Sequence, residues 1–412
     1  MRRIIWFELK KMILRPISLA ILILTLAINC LSIFTDRTGD FVSHDEIMAL
    51  RAEQTKYAGK IDQNWTDEIE KKITAITENP KNLMSEDEKE AVRKEYMERG
   101  YTREYVDSLP NSAFLKPEIK SGLPYVVLEG AEYSSRFYSN VKALSTSLGE
   151  YYRAKYQGEK GEVLAQKAEN MYGYLAEDYT AYYDCCLGWS KLIDMQRILP
   201  LTVGLFLLIA LSSVFSGEYN QKTDSLLLSA KYGRSKLIGA KIAASFLLAA
   251  GVWLLILLIN LILAGSVFGL EGTQTFVQDW QYNTCPFPYT ELSNYLAVCG
   301  MSLTGIVIFT AVILFVSAKT RRPFITLLIC GVVLLSPVIG NISQLGAFMS
   351  EILAFAPANT LIAANHFAFF KAYYVFGHAI LMQATVPVVA VAVSGLLIPF
   401  ACRAFERHQV EN

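Results

Sequence analysis

The chain has 412 residues, 53% of them hydrophobic and only 18% charged, with 38 basic and 38 acidic side chains. A mean hydropathy of +0.30 and so little charge exclude an ordinary soluble domain, where about a quarter of residues are charged. The zero net charge hides a division: residues 36–190 carry 28 acids against 20 bases, and the rest carries 10 against 18. The basic excess follows the apolar part of the chain, which is membrane topology and not nucleic-acid binding.

The first segment, residues 4–14 (IIWFELKKMIL), alternates apolar and basic faces before Pro16. It reads as an amphipathic helix at the inner membrane interface, with Trp6 and Phe7 among headgroups; the alternative is the ragged start of the first span. Ile17–Phe34 follows, long enough to cross a bilayer and lacking a small-x-small cleavage site. Residues 1–35 are therefore an interfacial helix and an uncleaved first span.

Residues 36–197 form a large insertion dominated by helical signals. Ser85-Glu86-Asp87-Glu88 is a capping box opening a helix that Gly100 closes. Trp65, Ile69, Ile73 and Ile76 recur at helical spacing. Phe137, Val141, Leu144, Leu148 and Tyr151 step by fours and threes, as do Leu164, Ala168, Met171, Leu175, Tyr179 and Tyr182. The Gln157–Gly161 break between them predicts an antiparallel helical hairpin whose second arm leads straight into the second span. No β-rich stretch or internal repeat is visible. The tyrosines from Tyr151 to Tyr183 either pack this hairpin or offer broad contact surface for a peptide.

Residues 198–405 contain five more apolar segments: Ile198–Phe215, Ile242–Gly265, Tyr295–Val316, Phe324–Ile339 and Ala379–Ala401. The N-terminal bases, Lys222–Lys241, Lys319–Arg322, and Arg403 with Arg407 fall on one side of a six-span arrangement, which puts both termini in the cytoplasm. A seventh span at Ile352–Phe370 would bury Pro357, Asn359, Asn365 and His366 in lipid and reverse the C-terminal charges. Residues 343–375 are instead expected to be an outer re-entrant segment of one or two short helices buried against protein. The expected fold class is an all-α integral membrane protein: six transmembrane helices and a large helical extracytoplasmic domain between the first and second.

The seven cysteines have no CxxC spacing. Cys30, Cys299, Cys330 and Cys402 read as packing residues. Cys185 or Cys186 can pair with Cys285 if the insertion faces an oxidising compartment; free thiols are the alternative. There is no GxxxxGK[ST] phosphate loop, no Ser-His-Asp set and no HExxH, and the four histidines lack ligand spacing. No charged residue sits in the middle of a span, which argues against a proton- or ion-coupled transporter.

The segment after the second span, FSGEYNQKTDSLLLSAKYGRSKLIGAK, carries the strongest functional signal. Leu226, Leu227 and Leu228 form an apolar triplet inside a short basic loop, a pattern suited to docking on a partner. Glu218, Thr223, Leu226-Leu227, Arg234-Ser235 and Lys241, after the second of six spans, resemble the ABC-2 type transporter permease family. The likeness covers about residues 1–34 and 191–405 and leaves out the insertion. One departure is Lys222, where the family often has glycine before the threonine.

The resemblance implies a permease subunit in a bacterial cytoplasmic membrane, paired with an identical or similar permease and with separate cytoplasmic ABC ATPase subunits that bind ATP and Mg. The chain itself would hold no cofactor and would not be an enzyme. Segment 216–236 would be the coupling helix. In it, Leu226, Leu227 and Leu228 would dock on the ATPase, Glu218 would pair with a basic group, and Lys222 and Thr223 would follow in the loop. Gly233 would end the helix, and Arg234 would anchor the next one at lipid headgroups; a solvated, topology-setting role is the alternative for each charge. The cargo would be amphipathic: an antimicrobial peptide, a lipid or a drug. A different class is a membrane-anchored sensor or assembly module that recognises an envelope peptide or partner through the outer domain.

Overall fold

The computed structural model describes residues 1–35, 43–223, 236–278, 282–336 and 347–406. The chain is 76% helical with almost no sheet. Among the described residues, five helices are long and apolar enough to cross a membrane: Pro16–Ile33, Leu187–Leu211, Ile238–Val267, Glu291–Lys319 and Met382–Glu406. Pro323–Leu334 is apolar but shorter, and the end of the expected fifth span at 337–339 lies outside the described residues.

Burial ranks these helices. The most apolar windows of Leu187–Leu211 and Glu291–Lys319 are 69% and 61% buried, against 22–33% for the other three. The two are therefore central, and the others surround them with apolar faces turned outward, among them Ile23, Ile262 and Val391. Lipid tails are as apolar as Leu, so such a bundle is held by close packing and hydrogen bonds rather than by exclusion of water. Small residues supply the close approaches. A Cβ on Gly305 would lie 2.7 Å from the backbone nitrogen of Leu361, so the short helix Pro357–Leu361 rests directly on Glu291–Lys319. Asn29 and Asn260, both fully buried, hydrogen-bond to each other across the first and third long helices.

Arg2–Ile13 is a separate helix, ended at Leu14–Arg15 where Pro16 opens the next. Its Glu8 and Met12 are buried, while Trp6 and Phe7 are exposed. The insertion contains the Phe137–Lys155 and Glu159–Glu177 hairpin, reversed at Gly158 with φ +71°. The Ser85–Glu88 capping box is formed, and Gly100 follows the helix with φ +92°. The insertion's core joins Ile69, Leu128, Phe137, Val141, Leu164 and Tyr172 to Phe276 and Phe370, which come from the connections between the long helices. It is therefore not closed by its own residues alone.

Three expectations need correction. The hairpin's second arm stops at Glu177, and Tyr182–Tyr183 pairs as a short strand with Gly59–Lys60 before the next helix begins. That helix starts at Leu187, not Ile198, so the boundary at 197 falls inside it. Lys191, Asp194 and Arg197 lower its hydropathy, and Pro200, which has no N–H to donate, falls where the helix passes from a 3₁₀ into a π turn. Residues Ala372–Val375 and His378–Leu381 form an antiparallel β-hairpin, turned by Phe376 and Gly377 at positive φ. The last long helix accordingly begins at Met382 rather than Ala379. Ala347–Ala354 and Pro357–Leu361 are two short helices, the second buried against the bundle.

Candidate functional site

The Leu187–Leu211 helix is followed by a tight turn and a short helix, Ser216–Asn220, at the base of the basic loop. Ser317 on the Glu291–Lys319 helix fixes this turn. Its hydroxyl accepts from the backbone N–H of Phe215 and of Ser216, each at 3.1 Å, and donates to the Ser212 carbonyl at 2.8 Å. Tyr219 donates to the Ala318 carbonyl at 3.2 Å, and its ring stacks on Phe405 of the last helix.

Glu218 projects from the short helix into a buried ionic cluster. One carboxylate oxygen accepts from the Lys11 ammonium at 2.7 Å and the Lys241 ammonium at 2.8 Å. The other accepts from the Thr223 hydroxyl at 2.6 Å. Lys241 also donates to Glu8 at 3.0 Å. Lys241 is 1% exposed, and Glu8 and Glu218 are 5% exposed. Two carboxylates and two ammoniums balance; the buried three, Glu8, Glu218 and Lys241, would each be penalised alone, while Lys11 reaches in from the partly exposed face.

Each charge is placed by its element. Glu8 and Lys11 lie three apart on one face of the Arg2–Ile13 helix. Lys241 sits in the first turn of Ile238–Val267, where the helix dipole disfavours a cation and two carboxylates offset that. Burial pushes the Glu218 carboxyl up, but the Lys241 charge and the hydrogen bonds from Lys11, Lys241 and Thr223 outweigh it and hold the group down at about 2. The chain leaves the cluster through Lys222, at φ +54°, and the Thr223 N–H returns to the Glu218 carbonyl at 3.0 Å. This left-handed position favours glycine, which gives the Lys222 departure a conformational meaning. A cleft of about 510 Å³ opens beside the cluster, between Arg15, Ser213, Gly217 and Leu327.

Of the site residues expected from sequence, Glu218, Lys222 and Thr223 thus meet at the loop's base, joined by Lys241. Leu226, Leu227, Leu228, Gly233 and Arg234 lie outside the described residues. Glu8 and Lys11 were not anticipated as members. The available signal was that Glu8 is the one acid in the first 35 residues and falls on the apolar side of the amphipathic helix. Cys185, Cys186 and Cys285 are free cysteines in this structure. Cys185 and Cys285 are buried, Cys186 lies 3.6 Å from the Ser190 hydroxyl, and the Cys285 thiol faces the Phe287 carbonyl. Burial pushes the Cys285 thiol up to about 12, which keeps it protonated and unreactive. Among the described residues no group of His, Cys, Asp and Glu is arranged to hold a metal ion. No family pattern, curated protein or solved structure matches this chain.

Proposed function

We propose that this chain is the permease subunit of an ATP-driven ABC exporter in a bacterial cytoplasmic membrane. In this reading Pro323–Leu334 and the residues after it complete six spans, both termini are cytoplasmic, and the insertion is extracytoplasmic. Two permeases, identical or similar, would enclose the path of an amphipathic cargo. Separate cytoplasmic ATPase subunits would bind and hydrolyse ATP, and segment 216–236 would be their docking site.

The observation that carries the reading is the Glu8–Lys241–Glu218–Lys11 cluster with Thr223. It ties the start of the loop to the N-terminal helix and to the Ile238–Val267 helix, while Ser317 and Phe405 tie it to two more. A push on the loop is thereby shared by four elements of the bundle, which is what coupling hydrolysis to a change of access requires. A loop that only set topology would need no buried ion pairs.

The test is co-purification with the ATPase and ATP turnover in reconstituted vesicles. Burying one Leu is worth roughly 1.5–3 kcal/mol, so Leu227→Asp with Leu228→Asp is expected to release the ATPase or uncouple its turnover while the permease stays inserted. Unchanged attachment and coupled transport would defeat the reading. The sensor alternative draws on one feature, the sharing of the insertion's core with Phe276 and Phe370. Deleting residues 43–186 distinguishes it: transport with altered selectivity favours the permease, and complete loss of signalling favours the sensor.

A further inference from the structure

The helical hairpin of the insertion, the β-hairpin before the last long helix and the short helix Ala347–Ala354 enclose a cleft of about 690 Å³. That is the size range of a site for a small organic ligand. Its floor is apolar, built from Leu144, Leu148, Leu164 and Phe370, with the Tyr152 ring edge-on to Phe370 at 5.6 Å. Its rim is cationic. The Lys155 and Lys160 ammoniums lie over the same ring, Tyr156, at 5.4 and 4.0 Å from its centre. Lys155 also donates to the Tyr151 hydroxyl at 2.7 Å.

Cations outnumber carboxylates: Lys155, Lys160 and Lys371 line the cleft with Glu351, while Glu159 accepts a hydrogen bond from the Tyr374 hydroxyl beside the rim. The carboxylate lining the cleft, Glu351, is engaged by Lys371 at 2.8 Å and by the Tyr373 hydroxyl at 3.2 Å. Lys155 and Lys160 are met by aromatic faces and a phenol rather than by a carboxylate. Two cations gathered on one ring above an apolar floor form a receptor for one compact anion attached to a hydrocarbon tail. Exposed Phe369 and the Lys371–Glu351 pair also line the cleft, a short distance in sequence before the membrane-length helix Met382–Glu406.

We propose that this cleft is a binding site for an anionic phospholipid, with the phosphate on Lys155 and Lys160 and the upper acyl chain along Leu144, Leu148 and Phe370. The site stands independently of the transport reading, because binding is measured on the purified full-length chain.

The probe is short-chain phosphatidylglycerol, compared with short-chain phosphatidylcholine and with glycerol phosphate lacking any chain, by native mass spectrometry and calorimetry. Phosphatidylglycerol is expected to bind at least about tenfold more tightly than phosphatidylcholine, whose choline cation opposes the two lysines, and than glycerol phosphate, which has no chain to lay on the apolar floor. Lys155→Met with Lys160→Met is expected to remove the preference, and Lys94→Met elsewhere on the insertion to leave it intact. Equal binding of glycerol phosphate, tighter competition by an acidic peptide, or a preference surviving in the double variant would overturn the proposal. A second measurement is independent of how the variant folds. Phosphatidylglycerol with a photoreactive acyl chain is expected to label the peptide containing Phe369–Tyr374 in the unaltered protein, and labelling confined to other regions would also overturn it.

Discussion

Replacing Lys241 by methionine keeps most of its stem and removes the charge that two buried carboxylates share. At separations of 2.8 and 3.0 Å and an effective dielectric near 20, each attraction is gross about 5–6 kcal/mol, most of it offset by the cost of burying the ions. Removing the shared partner leaves Glu218 with Lys11 and Thr223 and leaves Glu8 with no remaining cation in the cluster. The expected loss is about 3–5 kcal/mol, read as unfolding free energy in detergent or nanodiscs. Glu8→Gln and Glu218→Gln in the Lys241→Met background should restore much of it, since neutral amides leave less charge stranded. Exchanging the charges, Glu218→Lys with Lys241→Glu, should fail to rescue. The new lysine would face Lys11 and the new glutamate Glu8, whereas an isolated pair would tolerate the exchange. A loss below about 1 kcal/mol for Lys241→Met, or full rescue by the exchange, would refute mutual dependence within the cluster.

Three further outcomes follow from local geometry. Because the folded Glu218 carboxyl is held at about 2, below its ordinary 4.5, its stabilising contribution is present above pH 4.5 and is lost as pH falls through about 2. Melting temperature over that window should therefore fall more steeply in the native chain than in Glu218→Gln, and parallel profiles would contradict this. Lys222→Gly should stabilise by up to about 1 kcal/mol and Lys222→Val should destabilise, because residue 222 is held at φ +54°; equal melting temperatures would remove that account. Gly305→Ala places a Cβ 2.7 Å from the Leu361 backbone and should cost about 1–3 kcal/mol, with faster proteolysis near residues 357–361; an unchanged digestion pattern would mean that the contact yields freely.

Periodicity made the insertion legible where it was strong and local. The Phe137–Lys155 and Glu159–Glu177 hairpin and the Ser85–Glu88 box depend on residues within two turns of one another, and both form where the pattern puts them, apart from Tyr179 and Tyr182 beyond the second arm. Hydropathy was equally informative for Ile238–Val267 and Glu291–Lys319, whose apolar runs are unbroken. It failed at Leu187, because Trp189, Leu192 and Ile193 are buried against the neighbouring helices while Lys191, Asp194 and Arg197, interspersed with them, lower the average. It failed again at Ala379, where Tyr373 and Tyr374 find cross-strand partners in Ile380 and Ala379 that no linear window contains. The insertion's use of Phe276 and Phe370 was invisible for the same reason: each contact spans more than ninety residues of chain.

The candidate site was half legible, and the missing half has a physical cause. A buried cation is recognised by its partners, and Lys241 has one partner 23 residues away and another 233 away. From sequence, Lys11 resembled any base at the end of a span, and Lys241 closed the loop motif with no sign of the carboxylates it would meet. Topology alone, however, does not require burial: a solvated lysine sets orientation as well as an enclosed one. Enclosing Lys241 to 1% exposure and returning two carboxylates to it costs desolvation that a linker would have no reason to bear. The cost fits the proposed coupling role, because losing Lys241 would leave Glu8 without a cation and Glu218 with a weaker set of partners. If the loop couples as proposed, Glu8, Lys11, Glu218 and Lys241 matter to it as much as the apolar triplet of Leu226, Leu227 and Leu228.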